Sequence, residues 1–263
     1  MHVVHKIDGI GINCWVNARQ VDHNKRTLVF VHGSGGDHTV WIHQYTQMKE
    51  EFNVAALDLP GHGRSKGKGE QDVALYVEWV RKIIKELNLS KPVLIGHSLG
   101  AAISLTFAIK YGDLLSGIVP VGGGVRMPVN EMILEGLKTD PEAVIALAAK
   151  FSISKINRAR FMGPLYEALS KVNPDIIYGD FSACDRLDIT NEISQIKTPA
   201  LVICGADDKM MPPAMSQFLA DNIPGAWLVL IESAGHMVML EEVNAFNREI
   251  RMFVESLHDM NGI

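Results

Sequence analysis

The chain of 263 residues has room for one large α/β domain or two small ones, and its 47% hydrophobic and 21% charged residues describe an ordinary globular protein. A formal charge of −5 gives no support to the binding of nucleic acid or an anionic membrane. The three cysteines, Cys14, Cys184 and Cys204, are far apart and odd in number, and fit neither a disulfide framework nor a metal site.

Alternating apolar positions at 2–7 and 10–18 flank Asp8-Gly9 and predict an antiparallel hairpin at a sheet edge. The opening residues hold no basic segment followed by an apolar stretch, and no window approaches the roughly 18 consecutive apolar residues that span a bilayer. Cytoplasmic residence without membrane insertion is therefore expected. Residues 27–31 are a solid β-branched and aromatic run, read as a fully buried strand. That strand ends in the glycine-rich loop His32-Gly33-Ser34-Gly35-Gly36-Asp37, ahead of a helix from about 38 to 50. Residues 52–57 form the next strand, closed by Asp58-Leu59-Pro60-Gly61-His62-Gly63-Arg64-Ser65. Val73, Val77, Val80, Ile83, Ile84 and Leu87 recur at helical spacing and predict an amphipathic helix over 72–88. A strand at 93–95, a helix to about Tyr111 and a strand at 114–121 follow.

The rhythm breaks between Gly122 and about Ile196, where short helices at 131–137, 141–150 and 165–171 come with no strong strand. It resumes with a strand at 200–204, a helix at 214–222, a strand at 226–231 and a helix at 241–257. The expected class is α/β, a mostly parallel doubly wound sheet. Residues 1–123 and 197–263 would form the core, and 124–196 a helical lid over the carboxyl ends of the strands.

Between the strand at 93–95 and its helix stands Gly96-His97-Ser98-Leu99-Gly100, a Gly-x-Ser-x-Gly pattern. A serine on so tight a strand-to-helix turn needs small residues two before and two after, because Cβ atoms there would collide with neighbouring backbone. The turn lifts the Ser98 hydroxyl above the sheet edge and aims the first amides of the helix beside it. The pattern alone also fits a cap serine; the apolar strand before it and the small-residue helix after it favour a nucleophile. An activated serine needs a base and a group to orient that base. In an open parallel sheet both come from loops at the carboxyl ends of strands. The loop after 200–204 brings two adjacent carboxylates, Asp207 and Asp208, and the loop after 226–231 brings His236, its only imidazole.

On His32-Gly33, Asp58-x-Pro60-Gly61-His62-Gly63-x-Ser65, Gly96-x-Ser98-x-Gly100, Gly205-x-x-Asp208 and Gly235-His236, in that order, the chain resembles the α/β-hydrolase superfamily. The likeness is to its smaller, lidded, esterase-like branch, and covers nearly all of the chain outside the lid. The resemblance implies Asp208 rather than Asp207 as the acid. It also implies two oxyanion donors, the backbone N–H groups of Ser34 and Leu99. His62 is expected to sit in a structural turn, and His97 to pack or hydrogen-bond behind the serine.

The implied activity is hydrolysis of carboxylic esters through an acyl-enzyme on Ser98, with His236 as base, Asp208 as its orienter, and no cofactor or metal. Gly122-Gly123-Gly124 lacks the fingerprint and the downstream acid of a dinucleotide site and is read as the exit into the lid. Met127, Met210 and Met237, with Met211 and Met239, fall where the lid begins and near the two catalytic loops. They would supply adaptable apolar walls or fill the core. Small to medium, largely apolar esters are the expected substrates. Carbon–carbon bond hydrolases of ring-cleavage products, cofactor-free perhydrolases and acyltransferases share the three residues, and a small-molecule receptor retaining them is a further alternative. The oligomeric state is not legible.

Overall fold

Eight strands form one sheet in the computed structural model, which describes residues 1–259: β1 (His2–Ile7), β2 (Ile10–Val16), β3 (Thr27–Val31), β4 (Asn53–Leu57), β5 (Val93–His97), β6 (Gly117–Val121), β7 (Leu201–Gly205) and β8 (Trp227–Ile231). Their order is β1-β2-β4-β3-β5-β6-β7-β8. The β1–β2 and β2–β4 pairs are antiparallel, and all the others are parallel. Strands β3 to β7 are buried at every residue, which is why they read as unbroken apolar runs, whereas β1 alternates because one face meets water.

The helices are α1 (Ile42–Met48), α2 (Val73–Glu86), α3 (Leu99–Tyr111), α4 (Glu131–Thr139), α5 (Pro141–Ser152), α6 (Arg158–Leu169), α7 (Pro174–Asp185), α8 (Pro213–Asn222), α9 (Val238–Glu241) and α10 (Val243–Asp259). The sheet separates two apolar cores by its period of two. Val29, Val31 and Leu94 pack on the side of α2, α3 and α8, while Leu28, Phe30 and Ile95 face α1 and α10. Among the described residues no helix is long and apolar enough to cross a membrane.

Helices α4–α7 are inserted between β6 and β7 and share a small core of their own, Leu137, Val144, Ile145 and Ile177. The two ends of the insertion meet where Ile189 N–H bonds Val125 O at 3.0 Å and Arg126 bridges to Asp188. Several boundaries differ from those the sequence predicts. Strand β6 begins at Gly117, because Gly112–Leu114 makes a turn of 3-10 helix. The helix at 38–50 splits into a 3-10 turn at His38–Trp41 and α1. Helix α6 starts earlier than expected and ends at Leu169, and α7 has no counterpart in the sequence reading.

Candidate active site

The turn from β5 into α3 holds Ser98 at φ 54° and ψ −113°, in the left-handed half of backbone space that a non-glycine residue rarely adopts. Its neighbours explain the spacing. A Cβ at Gly96 would lie 1.9 Å from the Gly100 carbonyl oxygen, and one at Gly100 would lie 2.4 Å from that of Val31. Both positions must be glycine for strand and helix to approach this closely.

His236, on the loop after β8, donates from Nδ1 to Oδ2 of Asp208 at 2.8 Å, and both side chains are buried. The other carboxylate oxygen accepts the backbone N–H groups of Met210 and Met211, each at 2.9 Å. With Nδ1 donating, the neutral ring keeps its Nε2 lone pair free to accept a proton. Ser98 and His236 line the same cavity of about 600 Å³, and among the described residues the Ser98 hydroxyl makes no hydrogen bond to the imidazole. The two loops cross tightly: a Cβ at Gly205 would sit 2.1 Å from the Gly235 carbonyl oxygen. Gly122, expected only as an exit from the sheet, has φ +57° and lies under the acid–imidazole pair, where a Cβ would be 3.1 Å from His236 Nδ1.

His97 donates from Nε2 to the His236 carbonyl at 2.9 Å, bracing the loop from behind. Burial and then the neighbouring His236 hold its pKa well below the ordinary range, so it serves as a neutral donor. The N–H groups of Ser34 and Leu99 have no hydrogen-bond partner among the described residues, and Ser34 borders the cavity. Leu99 opens α3, where unpaired amides and the helix dipole favour negative charge.

The inserted helices line much of the cavity with apolar side chains, Val144, Ile145, Phe161, Leu165, Ile177 and Phe181 among them, alongside Ser152, Lys171 and Asn173. Met210 and Met237 also line the cavity. Met127 does not; it is buried in the core on the α2–α3 side, packed among apolar residues rather than facing the cavity. Met211 and Met239 are likewise core residues.

Asp37, His38 and Asp58 bring possible metal-ligand atoms within 4.8 Å of one another. Both oxygens of Asp58 are already occupied, Oδ1 by the backbone and ring of His38 and Oδ2 by Asn13 and the Arg64 N–H. Burial would raise its pKa, but these bonds, led by the one from His38, hold it at about 2. This set braces the loop after β4 and does not present a free ligand face. Sequence reasoning missed Asp180 of α7, a fully buried carboxylate reaching into the core from the insertion. Its only sequence signal is an acidic residue interrupting an otherwise apolar and small-residue helix face.

A family model described as the alpha/beta hydrolase family matches residues 28–249. The chain is 29% identical over 245 residues to the dihydrolipoyllysine-residue acetyltransferase component of an acetoin cleaving system from Pseudomonas putida, covering 86% of this chain and 63% of that longer relative. It is 27% identical over 290 residues to a proline iminopeptidase from Saccharolobus solfataricus, covering 96% and 92% of the two chains. Among solved structures, a thermophilic esterase superposes with a TM-score of 0.85 at 28% identity over 98% of both chains.

Proposed function

The chain belongs to the alpha/beta hydrolase family, and on that premise we propose that it is a serine hydrolase cleaving carboxylic esters of small to medium, largely apolar substrates through an acyl-enzyme. The observation that carries the reading is the 2.8 Å bond from His236 Nδ1 to Asp208, which leaves Nε2 as a proton acceptor in the cavity that Ser98 also lines. Similarity to a thermophilic esterase supports the ester class.

In the proposed mechanism Ser98 Oγ attacks the ester carbonyl while His236 Nε2 takes its proton, and the serine–imidazole hydrogen bond tightens as the substrate seats. Asp208 keeps the ring in the accepting tautomer and stabilises its charged form. The carbonyl oxygen, now an anion, rests on the N–H groups of Ser34 and Leu99; losing one such donor typically costs roughly 3 kcal/mol of transition-state stabilisation. Collapse expels the alcohol, which takes the proton from His236. Water then repeats the two proton transfers on the acyl-serine. The inserted helices act as a cap whose apolar wall receives the acyl or alcohol chain, and a cavity of about 600 Å³ suits a small molecule.

The test is a series of chromogenic esters of increasing acyl length, hydrolysed by the wild type and by Ser98→Ala. Turnover is expected to peak at short to medium chains and nearly to vanish in the variant. Equal rates for the two proteins would overturn the assignment.

A further inference from the structure

Nothing in the acyl-transfer steps uses Asp180, yet it is fully buried and takes donors from three separate parts of the core. Its Oδ2 accepts from the Gly35 N–H and from His62 Nε2, each at 2.8 Å, and its Oδ1 accepts the Tyr76 hydroxyl. The Tyr76 oxygen in turn accepts the Glu70 N–H at 2.9 Å, so the one phenolic proton is committed to Asp180. The other nitrogen of His62 faces the Pro60 carbonyl at 3.0 Å. A carbonyl only accepts, and so does an ionised Asp180, which already takes the Gly35 N–H and the Tyr76 hydroxyl; both ring nitrogens of His62 then carry protons, and the pair is an imidazolium on a carboxylate. Burial works against that charge on His62; Asp180, with help from the Pro60 carbonyl and Asp58, more than offsets it and raises the pKa above the ordinary value. The other titratable groups around the pair are His32, its ring centre 4.7 Å from that of His62, and Cys184, whose thiol burial pushes up to about 12.

What Asp180 holds is the turn that carries Ser34. Gly36 N–H closes this turn on the Gly33 carbonyl at 3.0 Å, with Gly35 at φ +64°, the glycine position of a type II turn. The Gly33 carbonyl also accepts His32 Nδ1 at 2.8 Å. That carbonyl shares its rigid peptide plane with the Ser34 N–H, which points the opposite way. Pinning the one therefore aims the other. The closing bond lasts only while the Ser34–Gly35 peptide keeps its orientation, and the Asp180 carboxylate grips that peptide by its N–H. The grip comes from the insertion: a Cβ on Gly35 would lie 3.1 Å from Ile177 of α7 and 3.2 Å from Leu169 of α6, and one on Gly179 would lie 2.9 Å from the Glu70 carbonyl.

We propose, resting on the acyl-transfer reading above, that Asp180 is a positioning residue for the oxyanion turn, making the aim of the Ser34 N–H depend on a seated α7 and on a protonated His62. Loss of the His62 proton leaves one of its nitrogens lone pair to lone pair against an acceptor, so turnover falls on the alkaline side. Removing the Asp180 charge removes the main support of that proton and moves the fall to lower pH.

The experiment measures kcat and KM on a chromogenic butyrate ester from about pH 6 to about pH 9.5, with melting temperatures, for wild type, Ser98→Ala, Asp180→Ala and Asp180→Asn. Asp180→Ala is expected to lower kcat about ten- to a hundredfold with KM within about threefold, as loss of a transition-state contact does. Asp180→Asn keeps the shape and one accepting oxygen for Gly35. It should hold kcat within about fivefold near pH 6.5 while the alkaline limb moves down by about one pH unit or more. If Asp180→Ala does not fold, the limb of Asp180→Asn decides. A lowered melting temperature with wild-type kcat and an unmoved limb would overturn the proposal and leave Asp180 merely structural. Ser98→Ala turning over as well as wild type would instead overturn the acyl-transfer reading, and this one with it.

Discussion

Two adjacent carboxylates at the end of β7 stand in opposite surroundings. Asp208 is buried, with one oxygen on His236 Nδ1 and the other on the N–H groups of Met210 and Met211; Asp207 is exposed, and among the described residues only its backbone N–H is engaged, by the Ala234 carbonyl. In Asp208→Asn the two backbone donors still demand an oxygen, so the amide NH2 must face His236. Nδ1 is then forced to accept, and the proton moves to Nε2, where it blocks the uptake of the Ser98 proton. We expect kcat to fall about 10⁴-fold with a small change in KM, and Asp207→Asn to stay within about twofold of wild type. The same ester assay reads both, and a greater loss in Asp207→Asn would reassign the acid. The position of Ser98 is legible because hard sterics fix its turn, Gly96 and Gly100 being dictated by contacts a Cβ could not survive, and that of His236 because it is the one imidazole of its loop. Choosing between the carboxylates took the family resemblance, since neither composition nor spacing reports which of two neighbours turns inward. Met127 shows the limit on the apolar side, where a methionine suits a core as well as a pocket.

At the level of elements the insertion divides into a fixed part and a loosely held part. Helix α7 buries Ile177, Gly179, Asp180, Ser182, Ala183 and Cys184, while α6 buries no residue fully and carries Pro164 within it. Proline removes a helix hydrogen bond, and few buried contacts mean a low cost of local opening. Hydrogen–deuterium exchange followed by mass spectrometry should therefore show α6 amides exchanging faster than those of α7. Phosphonylation of Ser98 should slow α6, whose Phe161 and Leu165 line the cavity, with less effect on α7. Slower exchange in α6 than in α7 would contradict this division. The same contrast accounts for what the sequence revealed. Strand β3 was readable residue for residue because burial on both faces demands an unbroken apolar run. Helix α7 was not, because it buries a charge and the small residues Gly179, Ser182, Ala183 and Cys184 where a pattern search expects large apolar ones. The start of α6 was missed because its burial is partial and its pattern correspondingly weak.

Across the whole molecule the loops that carry Ser34 and His236 rest on buried imidazoles. His32 accepts the Leu59 N–H at Nε2 and donates to Gly33 from Nδ1, and His97 donates to the His236 carbonyl. A neutral ring is what His32 needs to accept at one nitrogen while donating from the other, and burial, with His62 adding to it, lowers its pKa to about 4. His97 is depressed in the same direction, again chiefly by burial. The unfolded chain takes up these protons near the ordinary value of 6.5, so between pH 6.5 and about 4 it binds more protons than the folded protein, and stability must fall as pH falls. For His32 alone the difference is on the order of 3 kcal/mol. Asp58, held at about 2, resists acid until a lower range, because its contribution is complete above its ordinary 3.8. His62 runs the other way: with its folded pKa raised, its contribution is complete below 6.5 and is lost as pH climbs through the raised value. The fold is thus expected to be most stable close to neutrality, with an acid side governed by histidines before carboxylates. Urea unfolding of wild type and His32→Gln at a series of pH values tests this. The variant, starting from lower stability at pH 7, should lose stability less steeply between pH 6.5 and 4, by up to about 1.4 kcal/mol per pH unit where His32 titrates fully. Parallel slopes for the two proteins would show that His32 does not carry the acid sensitivity and that folding leaves its pKa unshifted.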